Sequence, residues 1–193
     1  LMMRAMTPKS PATRAGPDWT TPRPIDTTYW VVPGRLLVGE HPGSRSRAEA
    51  LDRLRRFIEA GVTCFIDLTE LDESPSYDML LPSATPLGRQ VEYLRQPILD
   101  HGVPADLETM HRILATLNGA LESGHCVYLH CRAGIGRSAT VAGCWLAERS
   151  PGGGEAALTE LGGYWQQCRQ SKTWRRVPET GEQAEFVRAW PSL

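Results

Sequence analysis

The sequence predicts an α/β fold: a three-layer sandwich with a mostly parallel central sheet flanked by helices. Three observations lead there. Short apolar runs alternate along the chain with amphipathic stretches of helical period. A glycine-rich turn separates one such run from an apolar helix, the arrangement found at the carboxyl edge of open α/β sheets. Finally, 193 residues of which 41% are hydrophobic and 22% charged suit one globular domain with a sizeable core.

Residues 1–24 carry Pro8, Pro11, Pro17, Pro22 and Pro24 without any hydrophobic period. Such a stretch cannot bury enough surface to offset its ordering entropy, so a flexible N-terminal arm is expected, followed by one domain over 25–193. Tyr29-Trp30-Val31-Val32, a Pro33-Gly34 turn and Arg35-Leu36-Leu37-Val38-Gly39 read as two strands joined by a turn. Ser46-Arg47-Ala48-Glu49 has the pattern of a capping box, with Leu51, Leu54, Phe57 and Ile58 on one helical face and Gly61 at the stop. Residues 62–68 and 91–98 are candidate buried strands. Pro104 is expected to open a long helix whose inner stripe is Leu107, Met110, Leu114, Leu117 and Leu121. A strand over 126–130 follows, then the glycine-rich turn, an apolar helix over 139–149, and helices near 154–170 and 181–190.

A net charge of -1 provides no global field for nucleic acid or an anionic membrane surface. Any attraction for a phosphorylated ligand must be local. Five cysteines with neither a C-x-x-C pair nor zinc-ligand spacing are expected to be free thiols in a reducing compartment, the cytoplasm. The first twenty residues have no apolar core, so no signal peptide or membrane anchor is expected, and no motif implies a metal or cofactor.

The chemistry is concentrated in His130-Cys131-Arg132-Ala133-Gly134-Ile135-Gly136-Arg137-Ser138, which runs from a strand end into a helix start. The first N–H groups of a helix lack internal partners, and the helix dipole is positive there. Gly134 and Gly136 let the amides of residues 132–137 curl around an anion, and phosphate fits. Arg137 can grip two phosphate oxygens with one planar guanidinium. The same positive field favours a thiolate at Cys131, an in-line nucleophile beneath bound phosphate. Ser138 can donate a hydrogen bond to the sulfur, and His130 is expected to hold the loop backbone. Arg132 either contacts substrate from the rim of the loop, the favoured reading, or is simply solvated there.

The segment resembles the His-Cys-x5-Arg-Ser/Thr signature of the protein tyrosine phosphatase superfamily and is closest to its compact dual-specificity members. That resemblance implies metal-free hydrolysis of a phosphorylated protein or peptide through a phosphocysteine. The resemblance favours phosphotyrosine as the substrate, with phosphoserine and phosphothreonine accommodated as well if the pocket is shallow. A phosphoinositide or inositol phosphate is the alternative substrate class; relatives of that kind carry Lys inside the loop, where this chain has Arg132 and Ile135. A rhodanese-like sulfurtransferase and a non-catalytic phosphate-binding module are minor alternatives.

A phosphate ester also needs its leaving oxygen protonated. Gln96-Pro97-Ile98-Leu99-Asp100-His101-Gly102-Val103-Pro104 follows a predicted strand and is similar to the family's acid loop, which makes Asp100 the general acid and base. Asp106 is expected to serve the following helix as an early-turn carboxylate. Pro178-Glu179-Thr180-Gly181-Glu182-Gln183 resembles the segment whose Gln positions the hydrolytic water. Thr180-x-x-Gln183 is equally a capping box, in which Gln183 only bonds the helix start. Cys64 is expected to be a buried structural thiol; the competing reading sets it near enough to Cys131 for a protective disulfide. Tyr164, Trp165 and Trp174 are expected to pack the core and an adjoining loop.

Overall fold

The computed structural model describes residues 20–191. Thr28–Val32 (β1) and Leu36–Gly39 (β2) form the antiparallel hairpin expected around Pro33-Gly34, with Gly34 at φ 71°. Arg47–Glu59 (α1) leads to Cys64–Asp67 (β3), then a 3-10 turn at Asp78–Leu80 and a short helix at Leu81–Ala84 (α2), both unforeseen in the sequence. Glu92–Arg95 (β4), Leu107–Glu122 (α3) and Val127–His130 (β5) follow, then Arg137–Ala147 (α4), Gly153–Trp165 (α5) and Gly181–Arg188 (α6). The five strands lie in the order β1-β2-β5-β3-β4, and every pairing except β1 with β2 is parallel. The expected sandwich is present.

Its layers follow from the side-chain period of two along a strand. Tyr29, Val31, Leu36, Val38, Cys64, Ile66, Val127 and Leu129 share one core with α3, α4 and α6. The alternate residues Trp30, Leu37, Phe65 and Tyr128 face α1 and α2 in a second core. All of α4 is buried, from Arg137 to Ala147. It is the central helix, and the turn that feeds it is fixed at the carboxyl end of the sheet.

Several local expectations need correction. Residues 1–19, most of the expected arm, lie outside the described residues. The end of that stretch is bound to β1, where Pro22 accepts from the Trp30 indole at 3.2 Å and Arg23 donates to the Thr28 carbonyl at 2.6 Å. In α1 the capping box is half made: Ser46 accepts from the Glu49 amide, but the Glu49 carboxylate takes its hydrogen bond from the Ser44 hydroxyl. α3 begins at Leu107, three residues after Pro104, because Asp106 caps it by accepting from the Thr109 amide at 2.7 Å. Leu107 is thereby left 60% exposed, and the buried stripe starts at Met110 and Ile113. Trp165 packs edge-on to Tyr29, with ring centroids 5.5 Å apart, and its indole N–H donates to the Trp174 carbonyl, whereas the Trp174 ring faces solvent.

Cys64 does not approach the glycine-rich turn. It opens β3 opposite Val127, four residues before Cys131 in the parallel register. At the usual rise per residue this is roughly 13 Å along the strand, far beyond the reach of a disulfide. Burial pushes its thiol up to about 12. It is a structural cysteine.

Gly134, in the turn between β5 and α4, has φ 74°, and a Cβ there would lie 2.3 Å from the Gly39 carbonyl carbon. Gly34 has nearly the same φ, 71°, with nothing within 4 Å of its Cβ position. Gly34→Ala should therefore cost only the left-handed backbone penalty, about 1 kcal/mol. Gly134→Ala should cost at least about twice that in urea denaturation, because the turn must also move off β2. Equal losses for the two variants would show that contact with β2 does not hold the turn.

Candidate active site

The turn is gripped from both sides before any side chain is considered. The His41 amide donates to the Arg132 carbonyl at 3.0 Å, tying the turn to the end of β2. The Leu68 amide donates to the His130 carbonyl at 2.9 Å, tying it to the end of β3. α4 starts at an N-cap, Gly136, that supplies no side-chain hydrogen bond, so its leading amides keep their donor capacity for an anion. Cys131 lines the resulting cavity, with Sγ 3.3 Å from the Ser138 hydroxyl and only 3% of its surface exposed. Ile135 of the same turn points into the core, so only its backbone is available to a ligand.

Arg137 is 2% exposed, and burying a guanidinium is costly unless its donors are matched. They are. Nη1 donates to Glu73 Oε2 at 2.7 Å and to the Ile98 carbonyl at 3.0 Å, and Nη2 lies against Glu73 Oε1 and 2.9 Å from Asp100 Oδ1. Burial opposes the charge on Glu73, but the hydrogen bonds from Arg137 outweigh it and hold the carboxyl below its ordinary range. Arg132 sits at the rim, largely exposed, 3.7 Å from the other Asp100 oxygen. Asp100, His101, Arg132, Ala133, Gly136 and Glu179 join Cys131 and Arg137 around a cavity of about 240 Å³.

His130 turns away from this cavity. Its Nε2 meets the Tyr77 hydroxyl at 2.6 Å, and Nδ1 bonds its neighbour's carbonyl, that of Cys131, at 3.1 Å. Asp67 lies 3.9 Å from that ring and accepts from Thr69, Tyr93 and Arg95. His41 packs edge-on against both His130 and Tyr77. Desolvation lowers the pKa of both imidazoles, to about 4 for His41, and keeps them neutral.

Gln183 is fully buried and its amide is used at both ends. Its carbonyl oxygen accepts from the Thr180 amide at 3.1 Å, completing the capping box, and Nε2 donates to the Gly102 carbonyl at 3.0 Å. A Cβ on Gly136 would come within 3.0 Å of this amide and of the Glu179 carboxylate. Gln183 thus joins α6 to the Asp100 loop directly above the glycine-rich turn.

The structure brings Asp100, Cys131, Arg132, Arg137, Ser138 and Gln183 to one place, whereas Asp106 serves α3 as a cap. Sequence reasoning missed Glu73, Asp67, Tyr77, His101 and Glu179. An aspartate ending the apolar run Cys64-Phe65-Ile66-Asp67 was a usable signal. Glu73, in a polar loop, gave none. Among the described residues no three His, Cys, Asp or Glu side chains converge on a possible metal position, and no helix is long and apolar enough to cross a membrane.

Residues 26–187 match the family model described as Swiss Army Knife protein, DSP-PTPase phosphatase domain. Protein 067L of Invertebrate iridescent virus 3, named as a candidate tyrosine phosphatase, is 34% identical over 101 residues, which cover 50% of this chain and 38% of its own length. Laforin of Mus musculus is 34% identical over 56 residues, covering 29% of this chain and 17% of its own. The chain therefore spans less than half the length of these curated relatives. The solved structure of Tk-PTP in its active form superposes with a TM-score of 0.62 at 25% identity, covering 83% of this chain and 93% of that one. PTPMT1 in complex with PI(5)P also gives 0.62, at 22% identity over 86% and 94%, a likeness of fold alone.

The neutral histidines have a consequence for stability. The folded state does not protonate them near neutrality, whereas the unfolded chain takes up a proton at each below about pH 6.5. Protons bound then favour the unfolded state, so stability should fall as pH drops from about 6.5 toward about 4, by up to about 1.4 kcal/mol per pH unit for His41. In urea titrations across that range, His41→Phe should show a shallower slope, whatever its absolute stability. An unchanged slope would mean that His41 is protonated in the fold.

Proposed function

The chain belongs to the DSP-PTPase phosphatase family, and from that membership we propose that it is a cysteine-dependent phosphomonoesterase acting on phosphotyrosine, with phosphoserine and phosphothreonine also accommodated. Its substrate would be a phosphorylated protein or peptide. The odd number of cysteines, with Cys64 out of reach of Cys131, supports a reducing, cytoplasmic setting. The reading rests chiefly on one observation. The Cys131 thiol lines a small cavity beneath an uncapped helix start, beside a buried Arg137 that lies 2.9 Å from Asp100.

In the proposed first step, phosphate enters among the amides of residues 132–137 and the guanidinium of Arg137. The dianion competes with Asp100 for Nη2, and the carboxyl moves toward the ester oxygen. The Cys131 thiolate attacks phosphorus, the P–O ester bond breaks, and its electron pair goes to the leaving oxygen, which takes the Asp100 proton. In the second step water attacks the phosphocysteine and gives a proton to Asp100. The P–S bond breaks, and the returning thiolate is met by the hydrogen bond from Ser138. Charge is highest on the equatorial oxygens midway through each step, so fixed donors supply most of the acceleration. Glu73 would act by holding Arg137 in place. Gln183 would act by holding the Asp100 loop over the turn.

Phosphate release should be measured in excess EDTA from matched phosphotyrosyl, phosphothreonyl and phosphoinositide substrates. Phosphotyrosyl peptide should lead, and Cys131→Ser should lower turnover by at least about a thousandfold. Near-wild-type activity in that variant would rule out the covalent route, and a lead for phosphoinositide would move the enzyme to the alternative substrate class. Asp100→Ala should cost about a hundredfold with alkyl or unactivated aryl esters, yet little with an activated aryl phosphate whose leaving group needs no proton. Equal losses on both kinds of ester would assign proton transfer to another group.

A further inference from the structure

A second cleft adjoins the candidate active site. It has a volume of about 440 Å³ and runs between α5, α6 and the segment before α6, with Leu158, Val177 and Pro178 among its apolar lining and Arg175 and Arg176 at its edge. Glu179 lines both this cleft and the cavity of Cys131, so the two lie on either side of one side chain. The arginines come from the run Arg169-Gln170-Ser171-Lys172-Thr173-Trp174-Arg175-Arg176, which holds four cations and no acid in a chain of net charge -1. Arg169 is paired with Asp26 at 3.4 Å, whereas Lys172, Arg175 and Arg176 form no ion pair among the described residues. Of the other charges in the cleft, Arg188 bonds Glu155 at 2.7 Å, and Glu179 lies 3.8 Å from His101 on the side of the Cys131 cavity. The run is also held in place: the Trp174 amide donates to the Gln170 carbonyl at 2.8 Å, and the Trp174 carbonyl accepts from Trp165 at 2.7 Å.

Resting on the phosphatase reading above, we propose that this cleft is a substrate subsite that takes the acidic stretch flanking a phosphotyrosine, with Arg175 and Arg176 pairing to its carboxylates. Unpaired arginines presented by a tethered loop cost little further ordering when an anion binds, and their planar forks match carboxylates bidentately. The cleft is concave and its lining is partly apolar, so an extended peptide can lie along it while its phosphate occupies the Cys131 cavity. A bilayer surface is convex or flat on this scale, so it could meet the arginines at the edge but would leave the apolar lining of Leu158, Val177 and Pro178 uncovered. Preference for acidic peptides would therefore arise from a local basic edge on a protein without a global field.

The test compares three substrates at low ionic strength: a small activated aryl phosphate, a phosphotyrosyl peptide with Glu and Asp on both sides, and the same peptide with Gln and Asn instead. The acidic peptide should show kcat/KM about tenfold above the neutral one, and the difference should shrink as salt rises. Arg175→Ser combined with Arg176→Ser should remove that preference and leave the aryl phosphate within about twofold of wild type, whereas the double Lys variant should keep most of it. Binding of the same labelled peptides to Cys131→Ser, followed by fluorescence anisotropy, should show the same preference independently of turnover. Equal handling of the two peptides by the wild type, or a preference that survives the double Ser variant, would overturn the proposal. So would vesicles rich in anionic lipid competing for Arg175 and Arg176 more strongly than the acidic peptide does. Failure of the wild type to hydrolyse the aryl phosphate would instead overturn the phosphatase reading, and the anisotropy comparison would still decide whether the cleft binds acidic peptide.

Discussion

Arg137 carries a full charge in a position almost closed to water, and the loops around it are arranged to make that tolerable. Its guanidinium takes Glu73 from the loop after β3, carbonyls from the ends of the segments leading out of β3 and β4, and Asp100 from the loop before α3. A buried cation without those partners would cost several kcal/mol. Three stretches far apart in sequence must therefore close together for any one of them to be stable. The cavity beside Cys131 is what that closure encloses.

A second polar network holds the opposite side of the turn. Asp67, His130, Tyr77 and His41 lie at the carboxyl ends of the strands, and each is bonded or packed against the next. Buried polar groups specify a unique arrangement only when every member is satisfied, and here the neutral His130 is bonded at both ring nitrogens. Backbone bonds to β2 and β3 complete the support. The turn is thus pre-formed, with its amide donors free for a ligand and the His130 and Ile135 side chains anchored beneath.

The larger elements were legible because each has a period or a punctuation mark of its own. The short apolar runs of β1, β2, β3 and β5, the glycines at 34 and 61, and the capping patterns at Ser46 and Thr180 all depend on neighbours within a few residues. The short helix over 81–84 was missed because a single turn shows no period. The start of α3 was placed too early because proline at a first helical turn and aspartate at a cap are both favoured signals, and Asp106 prevailed by accepting the Thr109 amide. Gln183 carried two readings in the sequence. The structure gives it the cap and, in addition, a bond to Gly102 that no local pattern announces.

By itself the sequence determined the fold class, the family resemblance and the residues from His130 to Ser138, since a strand end, two glycines, a cysteine and an arginine at fixed spacing form a local object. It also pointed to Asp100 through the punctuation around it. Only the tertiary structure decided that Glu73 holds Arg137, that Asp67 and Tyr77 lie beneath His130, that Cys64 stands well away from Cys131, and that Arg175 and Arg176 line a cleft that shares Glu179 with the cavity. These are contacts between segments tens of residues apart. Parallel strands joined by crossovers bring such segments together at one edge of the sheet, and the register that does so is set by packing across the whole core rather than by any short run of residues.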